Sequence, residues 1–268
     1  MPFSIATWNI NSVRLRLPLV ERFLREYQPD VLCLQEIKCT DDLFPYEAFQ
    51  ALGYQHIAVS GQKGYHGVAT LSRRPLEGIE RKGFCNIVDC RHVSSVVTAG
   101  GKRLRIHNFY VPAGGDEPDP DINPKFAHKL GFIEEMKAIL ANTGDGCSSI
   151  LVGDLNIAPL ETDVWSHKQL LNVVSHTPVE TEGLELARRL GGWSDLVRHH
   201  IAPEQKVFTW WSYRARDWEA SDRGRRLDHI WGSPDLETDL ASVTILREAR
   251  GWDRPSDHVP VIAIFGLD

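Results

Sequence analysis

Polar residues that can bind a cation or move a proton recur where the predicted strands of this 268-residue sequence end. Asn9 follows one apolar strand, Glu36 follows the next, and Tyr110 closes a third. Asp154 and Asn156 follow a fourth. Because strand ends of one sheet lie close in space, such side chains can converge on one pocket. The spacing therefore predicts a polar pocket assembled from distant segments.

Three further candidates lie in the last fifth of the chain. Asp228 falls within the apolar segment Leu227–Trp231, and the pair Asp257-His258 directly precedes the apolar segment Val259–Phe265. An unpaired carboxylate within a buried strand is costly. We therefore expect Asp228 to have a partner, and His258 is the natural candidate.

The chemistry of this set indicates a hard cation. It consists of carboxylates, amides, an imidazole and a phenol, and it contains no thiolate, so it suits Mg²⁺ or Mn²⁺ better than zinc. Side chains of this kind around a divalent ion can hydrolyse a phosphoester. The structural alternative is that an Asp or Asn after a strand only forms a turn or caps a helix, and Glu36 alone could be a surface charge.

The elements that must position these residues are mostly strands. Alternating or continuous apolar patterns predict strands at Phe3–Trp8, Val31–Leu34, Tyr54–Ser60, Gly67–Ser72, Val93–Thr98, Leu104–Tyr110, Ser149–Val152, Leu227–Trp231 and Val259–Phe265. Helices are predicted from Pro18 to the Pro29-Asp30 stop, and at about Lys125–Ala141, Thr181–Leu190 and Trp193–His199. Short turns join the middle strands, which argues against a doubly wound parallel sheet or a (β/α)₈ barrel. Two stacked mixed sheets with helices outside fit better. Since no linker interrupts the apolar segments, one domain over residues 1–268 is expected.

Composition excludes several classes of protein. Hydrophobic residues make up 42% and charged residues 25%, as in ordinary globular domains. No apolar run reaches the roughly 20 residues of a membrane span, and no secretory signal is visible. The five cysteines contain no C-x-x-C pair, so neither a disulfide framework nor a zinc knuckle is indicated. We expect a cytoplasmic monomer with no membrane partner.

Net charge bears on nucleic-acid binding. A formal charge of −6 argues against an unassisted binder, unless acidic residues gather at one place and hold cations. The segment from Trp210 to Arg226 is a local exception, since five arginines outnumber three acidic residues and four aromatic residues interleave with them. Arginines suit phosphates, and aromatic rings can stack on bases or wedge into a duplex. One of Trp210 and Trp211 could instead be a core residue of a strand.

Six short segments, taken together and in order, resemble the class II apurinic/apyrimidinic endonucleases of the exonuclease III type, within the endonuclease/exonuclease/phosphatase superfamily. They are Thr7–Arg14, Leu34–Lys38, Asn108–Pro112, Gly153–Asn156, Arg226–Asp228 and Ser256–Pro260. The resemblance extends from residue 4 to residue 265. It implies a four-layer α/β sandwich and a metal-dependent DNA repair nuclease. Such an enzyme incises 5′ to abasic sites, leaving a 3′-hydroxyl, and acts as a 3′→5′ exodeoxyribonuclease.

The resemblance also implies roles for the candidate residues. Glu36 would be the principal ligand of Mg²⁺, which Mn²⁺ could replace, and the other metal-site candidates are Asn9, Asp154, Asn156, Asp257 and His258. Asp154, held in place by Asn156, would orient and deprotonate the attacking water. His258 would donate to a phosphate oxygen or, in a rival assignment, act as the base. Asp228 would fix the tautomer of His258, and Tyr110 would face the phosphate or the leaving oxygen.

Double-stranded DNA with abasic sites or 3′ ends is the expected partner. The candidate DNA-binding residues are Asn11, Arg14, Lys38, Lys125, Trp210, Trp211, Arg223 and Arg225, with Lys129 as a further cation. Two departures from the family pattern matter. At Ala113, where a polar amide is common, one phosphate contact is expected to be missing. The long loop Ser212–Gly224, which carries its own Trp218, is expected to tune substrate choice, so the balance between the two nuclease activities stays open. A superfamily phosphatase or phospholipase acting on an inositol phosphate or lipid head group is the alternative enzyme, although it gives no reason for the aromatic and basic segment. A catalytically silent DNA-binding or scaffold protein would lack site residues, and none is missing.

Overall fold

The computed structural model describes residues 2–140 and 146–267. Its strands are β1 Phe3–Asn9, β2 Val31–Gln35, β3 His56–Ser60, β4 Val68–Ser72, β5 Glu77–Arg81, β6 His92–Ala99, β7 Lys102–Tyr110, β8 Ser148–Asp154, β9 Ser194–Asp195, β10 Trp210–Trp211, β11 Gly224–Arg225, β12 Asp228–Gly232, β13 Leu240–Ile245 and β14 Val261–Phe265. The α-helices are α1 Leu17–Tyr27, α2 Tyr46–Gln50, α3 Pro124–Leu140, α4 His167–Leu170, α5 Pro178–Leu190, α6 Leu196–His200 and α7 Trp218–Ser221. Short 3₁₀ turns cover Asp41–Leu43, Glu161–Asp163, Pro234–Leu236 and Arg247–Gly251. Among these described helices, none has the length and apolar content that a membrane span requires.

Two six-stranded mixed sheets form the centre of the fold. Their strand orders are β13-β14-β1-β2-β4-β3 and β5-β6-β7-β8-β12-β9. Apolar side chains on the facing sides of the sheets pack into one interlayer core, which includes Phe3, Ile5, Val31, Ile106, Ile150, Val152, Ile230 and Val261. The predicted pair of packed mixed sheets is therefore confirmed.

Helices cover the outer faces. The apolar stripe of α1, with Val20, Phe23 and Leu24 buried, packs on Trp8 and its neighbours in the first sheet. On the second sheet, α3 and α5 bury another cluster, formed by Phe109, Phe132, Met136, Leu151, Leu184 and Trp231. The order is helix, sheet, sheet, helix, which is the expected four-layer sandwich.

Strand direction brings the candidate residues to one edge of the sandwich. In the first sheet β1 runs parallel to β2, so Asn9 and Gln35 are paired where both strands end. In the second sheet β7 runs parallel to β8 with Tyr110 opposite Asp154. The antiparallel strand β12 begins at Asp228, directly opposite Asp154. Asp228 therefore opens its strand and does not lie inside it, which corrects the predicted strand at Leu227–Trp231.

Several other boundaries differ from the sequence prediction. The edge strands β5 and β13 differ from the prediction, which contains neither. β5 is exposed along its whole length and β13 is only partly buried, with one fully buried residue, so neither shows a clear apolar pattern. The helix predicted at Trp193–His199 is wrong in its first residues: β9 occupies Ser194–Asp195, and the Asp195 side chain then caps α6 by accepting the N–H of Arg198. The final strand begins only at Val261. The predicted helix end at Ala141 lies outside the described residues.

Candidate active site

Asn9 connects two carboxylates that come from different sheets. Its Nδ2 donates to Glu36 Oε1 at 2.9 Å and to Asp154 Oδ2 at 2.8 Å. Asn9 is buried at the end of β1, whereas Asp154 is buried at the end of β8. The pocket therefore lies across the seam between the two sheets.

Glu36 presents a carboxylate that is ionised and partly exposed. Its backbone φ is +50°, a left-handed conformation that turns the chain directly after β2. Burial alone would raise the pKa of Glu36, but the ammonium of Lys38, 2.8 Å from Oε2, and the Asn9 amide lower it below its usual value. The Tyr110 hydroxyl donates to Oε1 at 2.8 Å. Burial, followed by the charges of Glu36 and Asp154, raises the pKa of Tyr110 well above its usual value, so the phenol remains a donor.

His258 and Asp228 form a buried pair. The two residues are joined through Nδ1 and Oδ2 at 2.8 Å, and Thr209 donates its hydroxyl proton to the same Oδ2 at 2.6 Å. Nε2 of His258 lies 3.6 Å from Asp154 Oδ2. Burial would lower the pKa of His258, but Asp228 and Asp154 outweigh it and raise the pKa to about 10. The imidazole is thus held in one orientation and in its protonated form.

Asp154 is the carboxylate best suited to accept a proton near neutral pH. Burial raises its pKa to about 7, against the opposing charge of His258. The Asn156 backbone N–H donates to Oδ1 at 2.9 Å, and its Nδ2 donates to Oδ2 at 3.2 Å and to the Val111 carbonyl at 2.9 Å. These bonds fix the carboxylate while leaving its proton affinity close to the value that favours general base catalysis.

Asp257 lies at the rim of the same pocket. Its two oxygens accept from Asn11 Nδ2 at 3.2 Å and from Trp210 Nε1 at 2.9 Å. Asn11 Oδ1 in turn accepts from Lys38 Nζ, which also binds Glu36. Contacts of this kind connect all the predicted catalytic and metal-site residues, namely Asn9, Glu36, Tyr110, Asp154, Asn156, Asp228, Asp257 and His258.

The donor set fits a hard cation at Glu36. Atoms of Asp154, Asp228 and His258 lie within 4.8 Å of one another, but His258 and Asp228 already bind each other, so this trio is better suited to proton transfer. Glu36 instead directs Oε2 at a cation, the Lys38 ammonium, 2.8 Å away, and carboxylate oxygens are ligands that hard cations such as Mg²⁺ prefer. Asn9 offers its N–H to both carboxylates while its Oδ1 accepts the backbone N–H of Asn11 at 3.0 Å. In this amide orientation Asn9 bridges the carboxylates, and its role as a direct ligand stays a prediction.

The candidate DNA-binding residues are placed in different ways. Arg14 is exposed, Lys125 is exposed at the start of α3, and Arg223 is exposed with its guanidinium 4.7 Å from the ring centroid of Trp165. Trp210 and Arg225 are half-buried beside each other. Asn11 and Lys38 point into the pocket and bind Asp257 and Glu36. The exposed cations Arg14, Lys125 and Arg223 can therefore contact phosphates outside the pocket, whereas Lys38 is engaged within it.

Three expectations for the basic and aromatic residues are wrong. Trp211 is 1% exposed and packs on Phe208 and Trp218, so it is the core residue of the tryptophan pair and cannot stack on a base. Lys129 is fully buried in an ion pair with Glu180. Arg226, counted in the basic segment, is fully buried as well and binds Asp163 and Asp195. The charge pattern of a sequence cannot tell which cations turn inward to neutralise buried carboxylates.

The buried Arg226 network predicts a large loss of stability on mutation. Asp163 is completely buried and accepts from both Arg226 and Arg198, which together lower its pKa although burial opposes them. Asp163→Ala leaves two guanidiniums without this counter-charge, so we expect the free energy of unfolding to fall by about 3–5 kcal/mol. Urea denaturation measures it, with Glu21→Ala in an exposed pair as the control. A loss below about 1 kcal/mol would show that the network contributes little.

Sequence reasoning missed two residues that contact the catalytic candidates and support them. Thr209 accepts the backbone N–H groups of Leu227 and Asp228 and donates to the Asp228 carboxylate. His66 packs its ring 6.2 Å from that of Tyr110, on a loop where Tyr65 is 69% exposed. No spacing signal identifies Thr209. The predicted strands Tyr54–Ser60 and Gly67–Ser72 leave residues 61–66 as a loop, but nothing in the sequence places His66 against Tyr110.

Comparisons with known proteins give matches over nearly the whole chain. Residues 6–258 match the model of the Endonuclease/Exonuclease/phosphatase family, whose chemistry is metal-dependent. Exodeoxyribonuclease III of Haemophilus influenzae is 32% identical over 268 residues, covering 97% of this chain and 98% of the relative.

Solved structures give the same result. An AP endonuclease from Archaeoglobus fulgidus superposes with a TM-score of 0.89 at 31% identity, covering 98% of this chain and 99% of the other. A 3′ phosphatase from Neisseria, NExo, bound to a product DNA hairpin, superposes with a TM-score of 0.90 at 32% identity and the same coverage. The similarity therefore includes all the segments that build the pocket.

Proposed function

Because this chain belongs to the endonuclease/exonuclease/phosphatase family, we propose that it is a metal-dependent DNA repair nuclease. It hydrolyses DNA phosphodiesters 5′ to abasic sites, leaving a 3′-hydroxyl, and removes nucleotides from 3′ ends. The observation that supports this most strongly is the convergence of Glu36, Asp154 and the His258–Asp228 pair on one pocket. The proposal is also supported by the names of its relatives, which include exodeoxyribonuclease III and an AP endonuclease.

The residues that would hold a cation are those around Glu36. Glu36 is the principal ligand of Mg²⁺ in this proposal, with Asp257 at the rim and Mn²⁺ able to substitute. When bound, the ion would neutralise charge that develops on the phosphate. Lys38 now neutralises Glu36 at 2.8 Å, so it must move aside or share the carboxylate when a cation binds.

Side chains of the protein carry out the remaining steps. Asp154, whose pKa of about 7 reflects burial, takes a proton from the attacking water, and Asn9 and Asn156 hold its two oxygens. Water forms a bond to phosphorus while the bond from phosphorus to the 3′ oxygen breaks, and that oxygen takes up a proton from solvent to give the 3′-hydroxyl. Protonated His258 donates to a phosphate oxygen, and Asp228 keeps its ring in place. Preorganised donors and bases of this kind supply most of the rate enhancement.

DNA contact is compatible with the acidic net charge. Four acidic side chains, Glu36, Asp154, Asp228 and Asp257, lie at the pocket, where a cation would offset part of their charge. Outside it, positive charge comes from Arg14, Lys125, Arg223 and Arg225. Trp210 is half-buried at the boundary between the two regions. An electrostatic contribution from phosphate contacts is consistent with this distribution.

A metal-removal experiment tests the function. A duplex oligonucleotide with one tetrahydrofuran abasic analogue is incubated with the protein and Mg²⁺, and a second duplex with a recessed 3′ end reports the exonuclease. We expect cleavage of both, extendable 3′-hydroxyl products at the abasic analogue, loss of at least about 100-fold with EDTA, and recovery with Mg²⁺ or Mn²⁺.

Two results would contradict the proposal. One is cleavage that persists unchanged in EDTA after the protein has been dialysed against the chelator. The other is hydrolysis of an inositol phosphate or a phospholipid head group at a higher kcat/KM than either DNA, which would favour the phosphatase or phospholipase alternative.

A further inference from the structure

A groove with a volume of about 400 Å³ lies on the side of the sandwich formed by β3 and β5. Ser60 and Gly61 line it where β3 ends, and Arg81 and Lys82 line it where β5 ends. Val88, which is 88% exposed, also belongs to the lining. The groove, here called the edge groove, therefore opens between the edge strands of the two sheets.

The edge groove opens on the same edge of the sandwich as the catalytic pocket. β3 ends opposite the first residue of β4, and β4 begins opposite the last residue of β2, directly before Glu36. β5 ends opposite the second residue of β6, and β6 begins opposite Phe109, the neighbour of Tyr110. A single strand thus separates the groove from the pocket in each sheet. Since neighbouring strands are about 4.8 Å apart, the groove lies roughly 10 Å from Glu36 and Tyr110.

The loop that joins β3 to β4 connects the edge groove with the pocket. Gly61 lines the groove at the start of this loop, and His66 at its end packs its ring 6.2 Å from that of Tyr110. Lys63 and Tyr65, between them, are exposed. Each strand of duplex DNA carries one phosphate per about 3.4 Å of axis. A duplex whose scissile phosphate lies in the pocket therefore brings phosphates about three nucleotides away within reach of the groove.

Arg81 and Lys82 carry charges that no carboxylate neutralises. Neither forms an ion pair with another residue that the structure describes. Arg81 Nε donates to the Val59 carbonyl at 2.7 Å. This bond ties the end of β5 to the neighbouring edge strand β3 and holds the guanidinium in place. The terminal N–H groups of Arg81 have no partner among residues 2–140 and 146–267, so they are free for an acceptor from outside.

The composition of the edge groove suits a nucleic-acid backbone. Asp41 is the acid among its lining residues, and one of its oxygens accepts the Gly61 N–H at 2.6 Å. Two cations therefore face one carboxylate, in a protein whose formal net charge is −6. Val88 adds apolar surface beside them. A DNA backbone offers both an anionic phosphate and an apolar face of the sugar, whereas a free inorganic anion would use the cations alone.

We propose that Arg81 and Lys82 form a second DNA contact, which binds the sugar–phosphate backbone about three nucleotides from the scissile phosphate. The proposal rests on the proposed function and adds a contact outside the catalytic pocket. The contact is electrostatic and independent of sequence, because phosphate contacts fix the position of a duplex without reading its bases. It holds the duplex along the edge of the sandwich and leaves the chemical step to the pocket.

The salt dependence of binding tests this contact. A duplex with one tetrahydrofuran abasic analogue is titrated with the protein in EDTA, so that it is bound but not cleaved, at several salt concentrations. The slope of log affinity against log salt should become shallower by about 0.9 for Lys82→Gln and by about 1.8 for the double variant Arg81→Gln/Lys82→Gln. With Mg²⁺ present, the loss should appear as a raised KM, whereas kcat should change much less.

Neutral phosphates locate the contact on the DNA. In a series of duplexes, one phosphate at a time on either strand is replaced by an uncharged methylphosphonate. We expect the wild-type protein to lose affinity at a position about two to four nucleotides from the abasic analogue, and Lys82→Gln to lose none there. Arg189→Gln, which removes an exposed arginine at the end of α5, is the matched control and should keep the wild-type slope and profile.

The single variant protects the test against misfolding. Lys82 forms no hydrogen bond or ion pair with the described residues, so Lys82→Gln reports the contact even if loss of Arg81 disturbs β5. An unchanged salt slope for Lys82→Gln would overturn the proposal, as would a methylphosphonate profile that this variant shares with the wild-type protein. An equal change of slope in Arg189→Gln would also overturn it. Failure of the proposed function is a separate result, because the wild-type protein would then leave the abasic duplex intact in Mg²⁺.

Discussion

Asp154→Asn is expected to reduce the single-turnover rate of abasic-site cleavage by about 1000-fold or more. The substitution keeps the size of the side chain but removes the proton acceptor, and positioned general bases and electrostatic groups typically contribute factors of this order. It also replaces an acceptor of the Asn9 and Asn156 amides with a group that cannot accept from both in the same way. Binding of the DNA should change much less than the chemical step. Quenched-flow cleavage together with a fluorescence binding titration separates the two.

The control for this prediction is an exposed carboxylate. Asp121→Asn changes the same chemical group on the surface and should leave the rate within about twofold, as surface substitutions usually do. Near-wild-type cleavage by Asp154→Asn would remove Asp154 as the base. The rival assignment, in which His258 takes the proton, would then be preferred, and His258→Asn should carry the whole loss.

Glu36→Gln is expected to lower activity at least about 100-fold at a fixed low Mg²⁺ concentration. Loss of the carboxylate removes a charged oxygen from the cation site, whereas the amide keeps nearly the same shape. Part of the activity should return as Mg²⁺ is raised, because the defect lies in cation affinity. The midpoint of the Mg²⁺ titration should move upward by about tenfold or more. Titration calorimetry with Mn²⁺ gives the same comparison without a substrate.

Two comparisons make the Glu36 result specific. Glu47→Gln, at a site in α2 away from the pocket, should show the wild-type midpoint. A Glu36→Gln protein whose midpoint is unchanged and whose activity is lost at every Mg²⁺ concentration would place Glu36 in some role other than cation binding. Tyr110, which donates to Glu36, would then be the next residue to test.

The layer order and the pocket could be predicted because both depend on strong local patterns. Asn9 and Glu36 follow strands whose apolar residues mark them clearly, and parallel pairing brings their ends together. The pairing of Asp228 with His258 followed from the cost of burying a lone carboxylate. These are cases in which a single residue type restricts the possible partners.

Other features could not be predicted because they depend on which side of a segment turns inward. Trp210 and Trp211 are adjacent and chemically identical, yet the pleat of β10 buries the second one more deeply. Lys129 and Arg226 look like surface cations until Glu180 and Asp163 are placed beside them. Strand β5 carries no apolar alternation, since it is an exposed edge. Long-range partners, and not local composition, decide each of these.

The side-chain amide of Asn9 makes catalysis sensitive to the relative position of the two sheets. Because Asn9 binds Glu36 from one sheet and Asp154 from the other, any displacement of one sheet relative to the other changes the geometry of the reaction centre. A cavity introduced far away in the interlayer packing, as by Ile5→Ala or Val152→Ala, would disturb turnover even where the chain still melts cooperatively. The rate of catalysis thus reports how well the two sheets of the sandwich are aligned.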